Sequence, residues 1–385
     1  MELTRPIYLD NLSTTPVDPE VLKEMLPYFN EKFGNESSQT HLYGWEAKES
    51  VELARERISK LIKCSMNELY FTSGATESIN LALKGLAYSE NNNKKHIITF
   101  TTEHKATIDV CEKLKTDGYN ITYLPVDNYG NIDLNIIENT ITNETLLISI
   151  LHGNNEIGNI YPIEAIGEIC KKHNVFFHVD AAQTVCKINI DINKMNVDLL
   201  SFSSHKIYGP KGIGAIYIKK TKPSICLESI LHGGGQQSGI RPGTLAVQNI
   251  VGFGKACEIC DNNLESDNNR ILELRNKLLN DLTKIIPDLK INGDLHNRLS
   301  GNLNITIPNI KNSSLMMSLR NIALSNGSAC TSNSTEPSHV LKAIGLSKEL
   351  SNSTIRFGIG KFNTMEEIRY TIKKINETVN KLRTV

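Results

Sequence analysis

Between residues 68 and 220 the sequence repeats one pattern: a short, nearly continuous apolar run rich in β-branched and aromatic residues, then a stretch with helical spacing. The runs are "ELYFTSG" (68–74), "KHIITF" (95–100), "NITYLPV" (120–126), "LLISILHG" (146–153), "VFFHVDA" (175–181), "DLLSFSS" (198–204) and "GAIYIKK" (214–220). Helical spacing falls between them, at 76–88, 104–116 and 162–173. A strand with one face in water alternates apolar and polar residues, whereas a strand that is apolar throughout has to be covered on both faces. The alternation therefore predicts an α/β fold whose mostly parallel, seven-stranded sheet carries helices on both sides.

After Gly254 the pattern changes. The stretch "IVGFGKACEICDNNLE" reads as the end of a helix, and a charged amphipathic stretch follows at 261–286. Short strands are expected near 290–292 and 302–307, a helix near 313–321, a strand at 354–358 and a closing helix at 364–382. This mixture predicts a smaller α+β lobe. We expect a large domain over 15–260 and a small one built from 1–14 and 261–385, with a polar loop at about 325–337. A chain of 385 residues has ample material for two such cores.

Several function classes lose support at once. The 42 Lys and Arg balance 42 Asp and Glu, so charge gives no argument for nucleic acid or an anionic membrane as partner. No apolar run approaches the roughly 20 residues that span a bilayer. The opening "MELTRPIYLDNLSTTPVDP" has neither a signal core nor an arginine-rich amphipathic presequence, which predicts the cytoplasm, or a mitochondrion or related organelle if a presequence has been removed. Of eight cysteines only Cys257 and Cys260 form a close CxxC pair. With no second pair and no histidine cluster to complete a zinc site, they read as ordinary helix cysteines, and no metal site is expected.

In a sheet of this kind ligands bind at the carboxyl ends of the strands, so the residues where each run stops carry the chemistry. The first run closes in Gly74-Ala75-Thr76 and opens a helix, whose free N–H groups favour an anion such as a phosphate. "FFHVDAAQT" ends an apolar run with Asp180, and Gln183 follows one turn later. "LLSFSSHKIYGPKGIGAIYI" sets Ser203, His205 and Lys206 just beyond another. A lysine at an apolar strand end is partly desolvated, which makes its neutral amine available as a nucleophile. A lysine for an imine link, an aspartate for a pyridinium nitrogen and a helix start for a phosphate are the contacts that pyridoxal 5′-phosphate requires.

One thiol stands apart. Cys330 lies in "LSNGSACTSNSTEPS" (324–338), among small and hydroxylated residues, whereas a structural cysteine normally has apolar neighbours. Here the chain resembles a cysteine desulfurase of the NifS and IscS type, in the class V, fold-type-I group of pyridoxal-phosphate enzymes. The resemblance runs from "YLDNLSTTPVDP" to "STIRFGIGKFNT", and its most specific marks are "TSGATES", "TEHKA", "NNEIG", "HVDAAQ", "SFSSHKIYGPKGIGA", "RPGTL" and "SNGSACTS".

The resemblance implies that Lys206 holds the cofactor, that Asp180 pairs with the ring nitrogen and that His104 stacks on the ring and moves protons. Gln183 is implied at the ring hydroxyl, and Ala75, Thr76, Ser203 and His205 at the phosphate, joined there by Thr244 of the partner subunit in a homodimer. Asn155 is implied at the cofactor and, with Arg356, would hold the substrate carboxylate, and a planar guanidinium matches a carboxylate in two-point fashion. Cys330 would take sulfur from L-cysteine as a persulfide, leaving L-alanine, and pass it to an iron–sulfur scaffold or another acceptor, tRNA thiolation included. A transient iron–sulfur ligand role for Cys330 on such a scaffold is a further implication. A selenocysteine lyase or aminotransferase of the same fold, and a catalytically silent assembly scaffold, are the alternatives. The chain departs from the family's pattern at Asn11, Leu12 and Ser13, at Gly153, and at His339 in "EPSHVL".

Overall fold

The computed structural model describes residues 5–220, 225–326 and 337–384. In chain order its first eight strands are β1 (Ile7–Tyr8), β2 (Leu69–Thr72), β3 (His96–Phe100), β4 (Asn120–Leu124), β5 (Thr145–Leu151), β6 (Phe176–Asp180), β7 (Leu199–Ser203) and β8 (Gly214–Ile218). Strands β2 to β8 are the seven expected from the apolar runs. They form a single sheet in the order β2-β8-β7-β6-β5-β3-β4. Every neighbouring pair is parallel except the two that involve β8, which runs against the rest.

Successive side chains of a strand point to opposite faces, and the packing follows that period. Ile97, Leu147, Leu199 and Ile216 enter a core with the helices Ala75–Ala87 and Lys105–Thr116. Their neighbours Ile98, Ile148, Leu200 and Ala215 enter the opposite core, against the helices Leu42–Ile62 and Ile163–His173. Both faces are covered, which is why the runs needed no polar alternation.

The remaining strands are β9 (Lys290–Ile291), β10 (Asn302–Thr306), β11 (Ile322–Ala323) and β12 (Thr354–Gly358). They form a three-stranded antiparallel sheet, β12-β10-β9, and a parallel pair, β1-β11. A separate core joins Ile7 and Leu9 to Leu303, Phe357, Ile368 and Ile375. The closing helix Met365–Arg383 starts at a capping box made by Thr364 and Glu367, which satisfies two otherwise orphaned N–H groups.

One expectation fails. The helix expected to end around Cys260 does not end there: a single helix runs from Val247 to Ile285, 39 residues long. The polar run "DNNLESDNN" (261–269) looked like a break because the helix there leaves one core before entering the other; Cys257 belongs to the first core and Leu274 to the second. No glycine or proline interrupts residues 255–285, so nothing local stops the helix. It crosses Leu42–Ile62 at Gly254, where a Cβ would lie 2.6 Å from the Ala54 Cα. The helix expected near 313–321 is the shorter Asn312–Ser318, since Ile322 leads into β11. Among the described residues no helix is long and apolar enough to cross a membrane.

Candidate active site

The carboxyl ends of β2, β3, β5, β6 and β7 open on one edge of the sheet, around a cavity of about 450 Å3. Lys206, Asp180, Gln183, His104 and Ser203 line it. So do Ala75, Thr76, Asn155, His205 and Arg356. Two of the expected residues are not among them. Thr244 is exposed and outside this cavity, and Cys330 lies outside the described residues.

Asp180 is the last residue of β6, and its carboxylate accepts the N–H of Ala182 at 2.9 Å. Burial raises its carboxyl to about 6, against the pull of the Ala182 N–H and Lys206. Lys206 ends the turn Ser204–Lys206 that leaves β7. Its ammonium donates to the carbonyls of Leu12 at 2.7 Å and Ser13 at 2.6 Å. Residues that depart from the family's pattern thus meet this lysine through their backbones, where side-chain identity matters least. Gln183 donates to the Leu12 carbonyl and accepts from Lys187, each at 2.9 Å. Burial pulls Lys187 down to about 7, helped by the nearby charge of Lys206.

His104 caps the helix Lys105–Thr116, its Nδ1 accepting the Ala106 N–H at 3.1 Å. Burial, then the charges of Lys206 and His339, pull it down to about 4. His205 falls to about 4 for the same first two reasons, burial and Lys206. At neutral pH both rings are therefore uncharged.

The helix Ala75–Ala87 starts at Gly74 with no side-chain cap. Gly74 has φ +154°, and its Cβ position is open apart from the Ser203 hydroxyl at 3.9 Å. A helix start whose N–H groups lack a side-chain cap, reached across a bare glycine and flanked by Ser203 and His205, suits a phosphate. A buried carboxylate deep in the same cavity suits a cationic ring nitrogen, and the lysine suits a carbonyl carbon. The donor set fits pyridoxal 5′-phosphate.

Arg356, in β12, is 1% exposed. Its guanidinium donates to Asn155 O, Asp10 Oδ1 and Ser13 Oγ, each at 2.8 Å. The carboxylate of Asp10 offsets a charge that would otherwise be costly to bury. Across the strand, the Arg356 N–H donates to Ser325 O at 2.7 Å, so the chain that leads to residue 327 starts from the arginine's own backbone. The chain that returns after residue 336 is held by Ser338, whose hydroxyl donates to Glu156 at 2.5 Å, and by His339, whose Nε2 donates to the Glu103 carbonyl at 2.8 Å.

Sequence reasoning assigned no role to Asp10, Ser13, Glu103, Glu156 or His339. Glu103 and Glu156 stand inside the motifs "TEHKA" and "NNEIG", and His339 and Ser13 stand out as departures. Both glutamates are buried, and burial raises both. The CxxC pair lies within the long helix beside Cys186, whose thiol burial pushes far up. Among the described residues no group of three or more His, Cys, Asp or Glu side chains is arranged to hold a metal ion.

The family described as aminotransferase class-V matches residues 7–370. A probable mitochondrial cysteine desulfurase of Dictyostelium discoideum is 50% identical over 98% of this chain and 84% of its own. The cysteine desulfurase IscS of Ehrlichia chaffeensis is 49% identical over 99% of this chain and 93% of its own. Among solved structures, a NifS-like protein superposes with a TM-score of 0.91 at 38% identity, over 97% of this chain and 99% of the other.

Proposed function

The chain belongs to the class-V aminotransferase family, and from that premise we propose that it is a cysteine desulfurase, a pyridoxal-phosphate enzyme that takes sulfur from L-cysteine and releases L-alanine. The observation that carries this reading is the convergence of Lys206, Asp180, His104 and the uncapped start of Ala75–Ala87 on one cavity, with Asn155 and Arg356 on its wall. Relatives named for that activity align over nearly the whole chain.

Lys206 would hold the cofactor covalently, Asp180 its ring nitrogen and Gln183 its ring hydroxyl. Ala75, Thr76, Ser203 and His205 would take the phosphate, with Thr244 of the partner subunit. Once bound, the ring is an electron sink that loosens the α-proton and the β-substituent of an amino acid. Asp180 keeps a negative charge where the ring nitrogen needs one. The Lys206 amine moves the α-proton, and His104, neutral at working pH, borders the ring. Asn155 and Arg356 hold the substrate carboxylate, and the polar groups around Arg356 fix its plane. Cys330 attacks the substrate sulfur as a thiolate and keeps it as a persulfide.

The same reading includes a homodimer. Leu26, Phe29, Phe33, Leu42, Tyr43 and Trp45 are all exposed large apolar residues, a concentration that marks a surface to be covered. The sulfur would go to an iron–sulfur scaffold protein or another acceptor, in the cytoplasm or an organelle matrix. Lys206→Ala tests the whole proposal. Purified protein should be yellow and make alanine and persulfide from L-cysteine, and the variant should lose the colour and nearly all alanine. A variant that still produced alanine at the parent's rate would refute it.

A further inference from the structure

Three thiols meet at a second cavity, on whose wall Lys206 also stands, and the chemistry proposed above uses none of them. Cys186 lies on the turn that leaves β6. Its thiol hydrogen-bonds with those of Cys257 and Cys260, one helical turn apart on the helix Val247–Ile285. Cys186 and Cys260 both line the second cavity and are partly exposed, whereas Cys257 is 0% exposed in the core beside them. The three are not arranged to hold a metal ion, which leaves the chemistry of one sulfur with another.

The backbone marks the same place. Cys186 has φ +61°, in the left-handed region, where a residue with a Cβ is uncommon and glycine sits freely. A side chain is kept there at a conformational cost, with its sulfur against two others. Burial pushes the Cys186 thiol far up, which makes it a poor first nucleophile. Cys260 is better placed for that role. Lys187 lines the same cavity, and its ammonium and a thiolate on Cys260 attract each other; a neighbouring cation favours the reactive, charged form of a thiol. The cavity also selects the reagent by size. A water needs about 10–15 Å3, so a space of about 60 Å3 admits a few waters or one hydrogen peroxide molecule, and excludes a peptide disulfide such as glutathione disulfide.

We propose that Cys186 and Cys260 form a modification site for hydrogen peroxide, closing to a disulfide that ties the turn after β6 to the long helix. The proposal stands apart from the desulfurase reading. In the first step the Cys260 sulfur attacks one peroxide oxygen: the S–O bond forms, the O–O bond breaks, and the departing oxygen takes up the thiol proton and leaves as water. Cys260 is then a sulfenic acid. In the second step the Cys186 sulfur attacks that of Cys260: the S–S bond forms, the S–O bond breaks, and the hydroxide takes the Cys186 proton and leaves as a second water. Two thiols are oxidised to one disulfide, and one peroxide is reduced to two waters. Lys187 is the next residue after Cys186 and donates to Gln183 at 2.9 Å, so the closed disulfide fastens the same turn that carries Gln183 into the first cavity.

The test treats the folded, full-length protein with hydrogen peroxide, blocks the remaining thiols and maps peptides without reduction. A peptide pair joined through Cys186 and Cys260 should accumulate, two hydrogens lighter than the separate peptides, and dithiothreitol should part it. Glutathione disulfide at the same concentration should not produce it. Cys186→Gly removes one sulfur at a φ that glycine takes freely, so the variant should keep the parent's melting temperature. With no second sulfur to close on, its Cys260 should stay as the sulfenic acid under peroxide and be trapped by dimedone, an adduct that the parent should show far less of. A folded parent in which peroxide produces no Cys186–Cys260 pair, or one in which the link joins Cys257 instead, would overturn the assignment. Equal linkage by glutathione disulfide would overturn the choice of reagent, and equal dimedone labelling of Cys260 in parent and variant would overturn the second step.

Discussion

Asp180 should be a residue that the protein keeps at the expense of its own stability. Burial holds its carboxyl at about 6 in the folded chain, against 3.8 ordinarily. A carboxyl raised that far makes the folded, ionised form less stable by about 3 kcal/mol at neutral pH. The sign follows from proton binding. Between about 4 and 6 the folded state holds the proton and the unfolded state does not, so stability falls as pH rises through that window. Below it both states are protonated and the penalty is gone. Asp180→Asn has nearly the same shape, can still accept the Ala182 N–H and cannot ionise. In urea titrations of cofactor-free protein, the variant should be more stable than the parent by up to about 3 kcal/mol at pH 7.5, with the difference vanishing near pH 4. The same substitution should abolish alanine production, since it removes the anion meant for the ring nitrogen. A variant of equal or lower stability at every pH would refute the claim that burial sets this carboxyl, and with it the idea that the site is strained toward a cationic partner.

Three further outcomes follow from the geometry. Cys330→Ala should keep the yellow colour and the spectral response to L-cysteine yet form no persulfide, as read by mass spectrometry of the intact protein. Brief alkylation should label the exposed Cys226 well before Cys64 and Cys111; burial raises the thiols of Cys64 to about 11 and Cys111 to about 12, so peptide mapping that found those two labelled as fast as Cys226 would contradict the packing. Gly254→Ala should destabilise by about 1–3 kcal/mol in spite of its better helix propensity, because the new methyl would meet the backbone of Ala54 at 2.6 Å; a melting temperature at or above the parent's would show that the two helices can part without cost.

What the sequence disclosed and what it withheld divide along a physical line. The sheet was legible because each strand is short, local and apolar on both faces, and burial demands no more than that. Asp180, Lys206 and the start at Ala75 were legible because a strand end fixes where a side chain goes without help from distant residues. Cys257 and Cys260 misled because the following residues 261–269, polar except for Leu264, look like a break, whereas a helix with no glycine or proline crosses such a gap readily when each half has its own core to join.

The surroundings of Arg356 were illegible for the opposite reason. Its partners come from residues 10, 13 and 155, and its backbone neighbour is residue 325. No local pattern announces contacts between segments hundreds of positions apart. Yet these contacts decide what the arginine can do. A guanidinium that is 1% exposed cannot swing to meet a substrate; it must be held in place and wait, and holding it takes an anion on one side and carbonyl and hydroxyl oxygens on the others. Ser13, a departure from the family's usual alanine, supplies one of those oxygens. Ser13 thus touches the residue proposed to orient the substrate, while beside it Leu12 meets Lys206 and Gln183 through its carbonyl and the Asn11 side chain donates to Gly358 O at 2.8 Å and to Asn363 Oδ1 at 3.2 Å.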